Sequence, residues 1–268
     1  FWNKCLKAMK RNQMDQILAY MYMMLEEAKG KLIVNRNMLR ALGKDVQLFD
    51  GVSDWFARVN EYARSRGLQP EHYIISSGLK EIIEGTPIAK EFKEIYAASF
   101  CYDEHGVACW PAMAVNYTSK TQFLFRVNKG VLDVTEHRAL NEFMPEEKRR
   151  VPFSNMIYVG DGLTDVPCMK MTKQKGGYSI AVHAPGETNV ADDLLMQGRA
   201  DFAMEADYSA GSELEQVVTE LIRRIRATHD LSLRHARQVR RAYERLGENM
   251  PLDIAMRGGL EEEDGTEA

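Results

Sequence analysis

Short apolar runs separated by helical patterns constrain this chain more than any other feature. Residues 72–76, 95–100, 156–160, 178–182 and 201–204 are enriched in Ile, Val, Tyr, Phe and Ala, at the length of strands inside a sheet. Between most of them lie stretches with apolar residues every three to four positions. Strands joined through helical crossovers run parallel. The pattern therefore predicts an α/β fold with a mostly parallel sheet and helices on both faces. In such sheets ligands bind at the carboxyl ends of the strands, which directs attention to the residues that terminate each run.

The run Met156 to Val159 passes straight into Gly160, Asp161 and Gly162, with Asp165 four residues after Asp161, in the segment MIYVGDGLTDVP. The glycines let the backbone turn without steric cost, so both carboxylates are presented at one strand end. Two nearby carboxylates with no basic residue between them repel each other, and a hard divalent cation removes that repulsion. Mg²⁺ suits a site of one or two carboxylates completed by a phosphate. Turn solvation is the plainer use of Asp and Gly, so the neighbouring motifs carry the argument.

Upstream, HYIISSGL at residues 72–79 ends on Ser76, Ser77 and Gly78, offering a hydroxyl and free amides as an oxyanion cradle. In NYTSKTQFLFRVNKG, residues 116–130, a Thr/Ser capping signal places Lys120 in the first turn of an amphipathic helix. A cation there opposes the helix dipole, so it reaches water or is held by an anion. Lys129, farther along the same helix, is its competitor for that role.

Ser76, Lys120 and the Asp161/Asp165 pair, in this order, resemble motifs two, three and four of the haloacid dehalogenase (HAD) superfamily, closest to its phosphoserine phosphatase-like branch. The resemblance covers residues 45 to 210 or so. Thr164 stands where that branch often carries Asn, which leaves the metal assignment intact. The family implies a Rossmann-like core with a helical cap, and Mg²⁺-dependent hydrolysis of a small phosphate monoester through an aspartyl-phosphate. On this resemblance Asp161 and Asp165 hold Mg²⁺, Ser76, Ser77, Gly78 and Lys120 bind phosphate, and Lys120, Ser76 and Asp161 are catalytic. The partner is a small phosphorylated metabolite, whose identity these motifs do not reveal.

The family's first motif, DxDx[TV], is absent. Phe49-Asp50-Gly51 is the nearest approach, but Val52 occupies the place of the second acid, and a hinge between cap and core is the better reading. The chain opens on Phe1, and the expectation is that the nucleophilic Asp lies upstream. The strand carrying it would sit between those ending at Ser76 and Asp161, holding them roughly 10 Å apart, two strand spacings, without direct hydrogen bonds. An inactive phosphate- or metal-binding relative, or a phosphotransferase or phosphomutase on the same scaffold, are the alternatives.

The division expected is a helical cap over 1–48, an α/β core over 49–212, a helical extension over 213–248 and a disordered acidic tail over 249–268. The net charge of −4 argues against a general nucleic-acid surface. No apolar run is long enough for a membrane span, so neither nucleic acid nor membrane is expected as a partner. Cys5, Cys101, Cys109 and Cys168 lack disulfide spacing, which suggests reduced thiols and a cytoplasmic location. The stretch FCYDEHGVACWPAMAV reads as a hairpin turning near Glu104 to Gly106 rather than as a zinc site at Cys101, His105 and Cys109. Met14, Met21, Met23 and Met24 read as packing. The arginines from Arg223 to Arg245 read as a solvated helical face that could also support self-association.

Overall fold

The computed structural model describes residues 1–187 and 189–250. Helices α1 (Trp2–Asn12), α2 (Gln16–Ala28), α3 (Arg36–Leu42) and α4 (Val52–Arg64) precede the first strand. Asp15 caps α2 by accepting the amides of Ile17 and Leu18, and Asn35 caps α3 through the amide of Met38. Ser53, which the stretch VSDWFARVNEYARSRG at residues 52–67 suggests as a helix cap, does not cap α4. Gly51 occupies that place at φ 76°, and a Cβ there would lie 2.3 Å from the backbone nitrogen of Ser209. Only glycine fits that close approach, so the helix starts at Val52.

The strands form two three-stranded sheets in place of one continuous sheet. In the first, β1 (Tyr73–Leu79) pairs parallel with β2 (Glu94–Tyr102), which pairs antiparallel with β3 (Ala108–Met113). In the second, β4 (Ile157–Gly160), β5 (Tyr178–His183) and β6 (Phe202–Glu205) are all parallel. All five expected strands are present, and the antiparallel addition is β3, the return strand of the hairpin. Among the described residues β1 and β4 each end their sheet and share no ladder. The fold is thus mixed α/β, with small parallel and antiparallel sheets flanked by helices.

Between the sheets run α5 (Lys80–Glu84), α6 (Lys120–Lys129) and α7 (Arg138–Asn141), and α8 (Val166–Gln174), α9 (Asn189–Met196) and α10 (Glu213–Leu246) complete the chain. One core joins Ile75 of β1, Tyr96 of β2 and Tyr158 of β4 to Phe123 and Leu124 of α6, Met169 of α8 and Leu194 of α9. A single helical layer therefore seals both sheets on one side. On the other, Ile180, Val182 and Met204 of the second sheet pack on α4 and α10. Each fully buried side chain of this size contributes about 1.5–3 kcal/mol. A third core sets α1, α2 and α3 against Phe100 and Ala108 of the hairpin, with Met21 fully buried and Met23 and Met24 packed around it.

The Arg-rich stretch is one helix whose first half is anchored by Leu214, Val218, Leu221, Ile222 and Ile225. Residues 249 and 250 of the expected acidic tail are described, and 251–268 lie outside the described residues. No described helix is long and apolar enough to cross a membrane.

Candidate functional site

Three segments converge at the carboxyl ends of β1 and β4. Lys120 is the first residue of α6, and its Nζ lies 2.6 Å from Oδ1 of Asp165, with both side chains buried. The anion that a lysine at a helix N-terminus requires is thus supplied from the second sheet. Lys129 is spent elsewhere, donating to the carbonyls of Leu140 and Glu142 at 2.6 Å each.

Asp165 also accepts from Tyr158 Oη at 2.7 Å, again on Oδ1. Burial, reinforced by the charge of Asp165, pushes the Tyr158 phenol far above its ordinary value, so it remains a donor. Oδ2 of Asp165 lies over Gly160, where a Cβ would come within 3.0 Å of it. Close approach of the carboxylate to the strand end therefore demands glycine at that position.

Asp161 is exposed and has no ion pair or hydrogen bond among the described residues, whereas Asp165 is sequestered. The two acids of the motif occupy opposite environments. Beside Asp161 sits Tyr208, whose phenol is pushed upward by burial first and by the Asp161 charge second. Among the described residues there is no group of three or more His, Cys, Asp or Glu side chains able to hold a metal ion.

Ser76 Oγ accepts the amide of Gly78 at 3.0 Å, a local turn that shapes the strand end. It makes no hydrogen bond to Lys120 or either aspartate among the described residues. Ser77 Oγ donates to the carbonyl of Val115 at 2.7 Å, tying β1 to the loop that leads into α6. The Thr/Ser signal before Lys120 works differently from a side-chain cap. Ser119 stands at the N-cap without a capping bond, while Asn116 Oδ1 collects the amides of Thr118 and Ser119 at 3.1 and 2.9 Å.

Helix α2 reaches the same place. Tyr20 Oη donates to the carbonyl of Ser77 at 2.8 Å, and Asn116 Nδ2 donates to Asp15 Oδ2 at 3.0 Å. Tyr158, Tyr20, Asn116 and Tyr208 escape a reading of the sequence. Tyr158 alone carries a signal, being a phenol inside an apolar strand whose hydroxyl needs a buried partner.

The donor set is compatible with Mg²⁺ in kind: one open carboxylate, Asp161, and a second, Asp165, already held by a lysine and a phenol. Mg²⁺ keeps several waters and uses one or two carboxylates plus substrate phosphate, so two acids suffice where a third oxygen donor arrives with the ligand. No family model matches the chain. It is similar to an uncharacterized protein of Borreliella burgdorferi, 26% identical over 201 residues that cover 68% of this chain and 68% of that protein.

Proposed function

We propose that this chain is the phosphate-binding and charge-stabilising part of a Mg²⁺-dependent phosphoric monoester hydrolase of the HAD type, acting in the cytoplasm on a small phosphorylated metabolite. The observation that carries the reading is the buried Lys120–Asp165 pair beside the exposed Asp161, at the carboxyl ends of two edge strands. Asp161 would hold Mg²⁺ directly, with Asp165 oriented behind it by Lys120 and Tyr158. When bound, the ion offsets negative charge on the phosphoryl oxygens. Lys120 supplies a fixed positive charge at the reacting group, and the free amides after Ser76 orient the remaining oxygens. Helices α1 to α3 serve as the cap, closing over the leaving group through Tyr20 and Asp15.

The nucleophile belongs between the sheets. Apolar strands of a parallel sheet are normally buried on both faces. Here no residue of β1 before Leu79 is fully buried, and Val159 of β4 is 37% exposed. One further strand between β1 and β4 would complete a Rossmann-like sheet and bring an aspartate to Lys120. Attack of that carboxylate on phosphorus would form an aspartyl-phosphate as the ester P–O bond breaks and the alcohol leaves, and water would then release inorganic phosphate and restore the carboxylate.

A protein that keeps Ser76, Lys120 and the Asp161/Asp165 pair beside a substituted first motif, and so binds phosphate without turning it over, is the second reading. Release of inorganic phosphate from a panel of monoesters by the protein expressed from its complete gene, with Mg²⁺ and with chelator, separates the two. Mg²⁺-dependent release that disappears in Asp161→Asn supports the hydrolase. Phosphate binding without release supports the second reading, and chelator-resistant release by Asp161→Asn contradicts both.

A further inference from the structure

The β2–β3 hairpin carries a feature that the phosphatase reading leaves unused. Cys101 and Cys109, both exposed, bring their sulfurs to 3.3 Å across the two antiparallel strands. The ladder pairs Cys101 with Trp110 and Tyr102 with Ala108, so Cys109 is the extra residue of a β-bulge facing Cys101. A disulfide bond is about 2.0 Å long, so closure requires the two sulfurs to approach by roughly 1.3 Å from their 3.3 Å separation. The side chains on either side, Phe100 and Ala108, are buried in the core beneath α1 to α3, which anchors both strands while both thiols face solvent. The chain's other cysteines are unlike this pair. Cys5 and Cys168 are buried, and burial pushes the Cys168 thiol up to about 11.

We propose that Cys101 and Cys109 are a redox site that forms a reversible cross-strand disulfide by exchange with a low-molecular-weight disulfide such as oxidised glutathione. Cys109 Sγ donates to the carbonyl oxygen of Cys101 at 3.4 Å, and the two sulfurs lie in hydrogen-bonding contact in which either can be the donor. The contact with Cys101 holds the Cys109 thiol above its usual range and its S–H points at the Cys101 carbonyl, which leaves Cys101 as the sulfur that attacks first. Cys101 sulfur attacks one sulfur of the oxidant, the oxidant's S–S bond breaks, and one glutathione thiolate leaves. Cys109, on losing its proton, attacks the Cys101 sulfur of the mixed disulfide and expels the second glutathione thiolate. The two protein thiols lose two electrons and two protons, and one glutathione disulfide becomes two glutathione thiols.

Closure fixes the bulge beside Tyr102, whose hydroxyl donates to the buried carboxylate of Glu81 at 2.6 Å in the helix that follows the Ser76 strand. It also stiffens the strand that bonds to the connection between α2 and α3 through the amide of Ala108 and the carbonyl of Val34 at 2.8 Å. The oxidised hairpin should therefore exchange its amide hydrogens several-fold more slowly.

Treatment of the full chain with oxidised glutathione, followed by alkylation, peptide mapping and hydrogen exchange, tests the proposal. The expected product has lost two hydrogens, links Cys101 to Cys109, leaves Cys5 and Cys168 reduced, and reverts in dithiothreitol with restored exchange. Cys109→Ser should instead accumulate a stable glutathione adduct on Cys101, because the resolving thiol is gone. A stable adduct on the unmodified chain, a disulfide between two chains, or thiols that stay reduced would overturn it.

Discussion

Arg150 Nη1 donates to Glu71 Oε2 at 2.7 Å, joining the residue two before β1 to the segment that leads into β4. Lys93 and the Tyr73 hydroxyl also donate to this carboxylate, the latter at 2.7 Å. Two edge strands without a shared ladder are thus held together at their amino ends by ions and at their carboxyl ends by Lys120 and Asp165, with α6 laid across them. Both ties cross between sheets that share no backbone hydrogen bonds, so each should matter more to stability than an ordinary surface pair.

The hydrogen bond from Arg150 leads in holding the Glu71 carboxyl down at about 2, against 4.5 for an ordinary glutamate. The sign follows from linkage. A carboxyl depressed in the folded state contributes stability that is present above the unfolded value and lost as the pH falls from about 4.5 toward 2. The partners are partly exposed, so after solvent screening the contribution is about 1–2 kcal/mol. Glu71→Gln should lower the unfolding free energy from urea denaturation at neutral pH by that amount and flatten the acid side of the stability profile. An unchanged acid slope would remove Glu71 from the account.

Much of this fold is legible in the sequence because it depends on local rules. The strands fall within a few residues of the apolar runs, since the length of an apolar run and its flanking turn residues are short-range signals. Lys120 stands out because an unpaired cation in the first turn of a helix needs an anion. What escapes is long-range. Glu71 and Arg150 are 79 positions apart, and nothing in their neighbourhoods announces the pairing. Gly51, rather than Ser53, starts α4 because the backbone of Tyr208 and Ser209 lies against it, a constraint from the far end of the chain. Cys101 and Cys109 look unpaired by spacing because a bulge, which spacing does not reveal, turns one toward the other.

The Lys120–Asp165 pair should show a double-mutant signature. Asp165→Ala leaves a buried ammonium without a counter-charge and should cost about 3–5 kcal/mol in unfolding free energy. Lys120→Met leaves the carboxylate with the Tyr158 hydroxyl, a smaller loss. In the Lys120→Met, Asp165→Ala double variant much of the stability should return, because no isolated charge stays buried. Chemical denaturation of the four proteins measures the coupling, and strictly additive losses would mean that the two side chains are not paired in solution. For the hydrolase, Lys120→Met should reduce kcat by about 10²-fold or more, as for other preorganised charge stabilisers.

Gly160→Ala is the smallest change that should disturb the site. Its Cβ would lie 2.8 Å from both Cβ and Cγ of Asp165, closer than real carbon contacts allow. Either Asp165 or the strand end must shift, which misaligns the carboxylate against Lys120 and Tyr158. The expected result is loss of most turnover while the circular dichroism spectrum keeps its shape. Wild-type turnover in a folded Gly160→Ala protein would mean that Asp165 need not stay over the strand end.

Tyr20 tests whether the N-terminal helices act on the phosphate end of β1. Its hydroxyl donates to the carbonyl of Ser77, and burial pushes the phenol well above its ordinary value, so the hydrogen bond persists through the neutral and mildly alkaline range. Tyr20→Phe removes only this donor and should cost about 0.5–1.5 kcal/mol of stability. If α2 closes over bound substrate, the same change should raise KM more than it lowers kcat, because it loosens the lid and leaves Lys120 and the aspartates in place. Asp15→Ala, which removes both the α2 cap and the acceptor for Asn116, should exaggerate that pattern. A fall in kcat at constant KM in both variants would instead assign these contacts to alignment of the Ser77 backbone, with helix α2 acting as a rigid support.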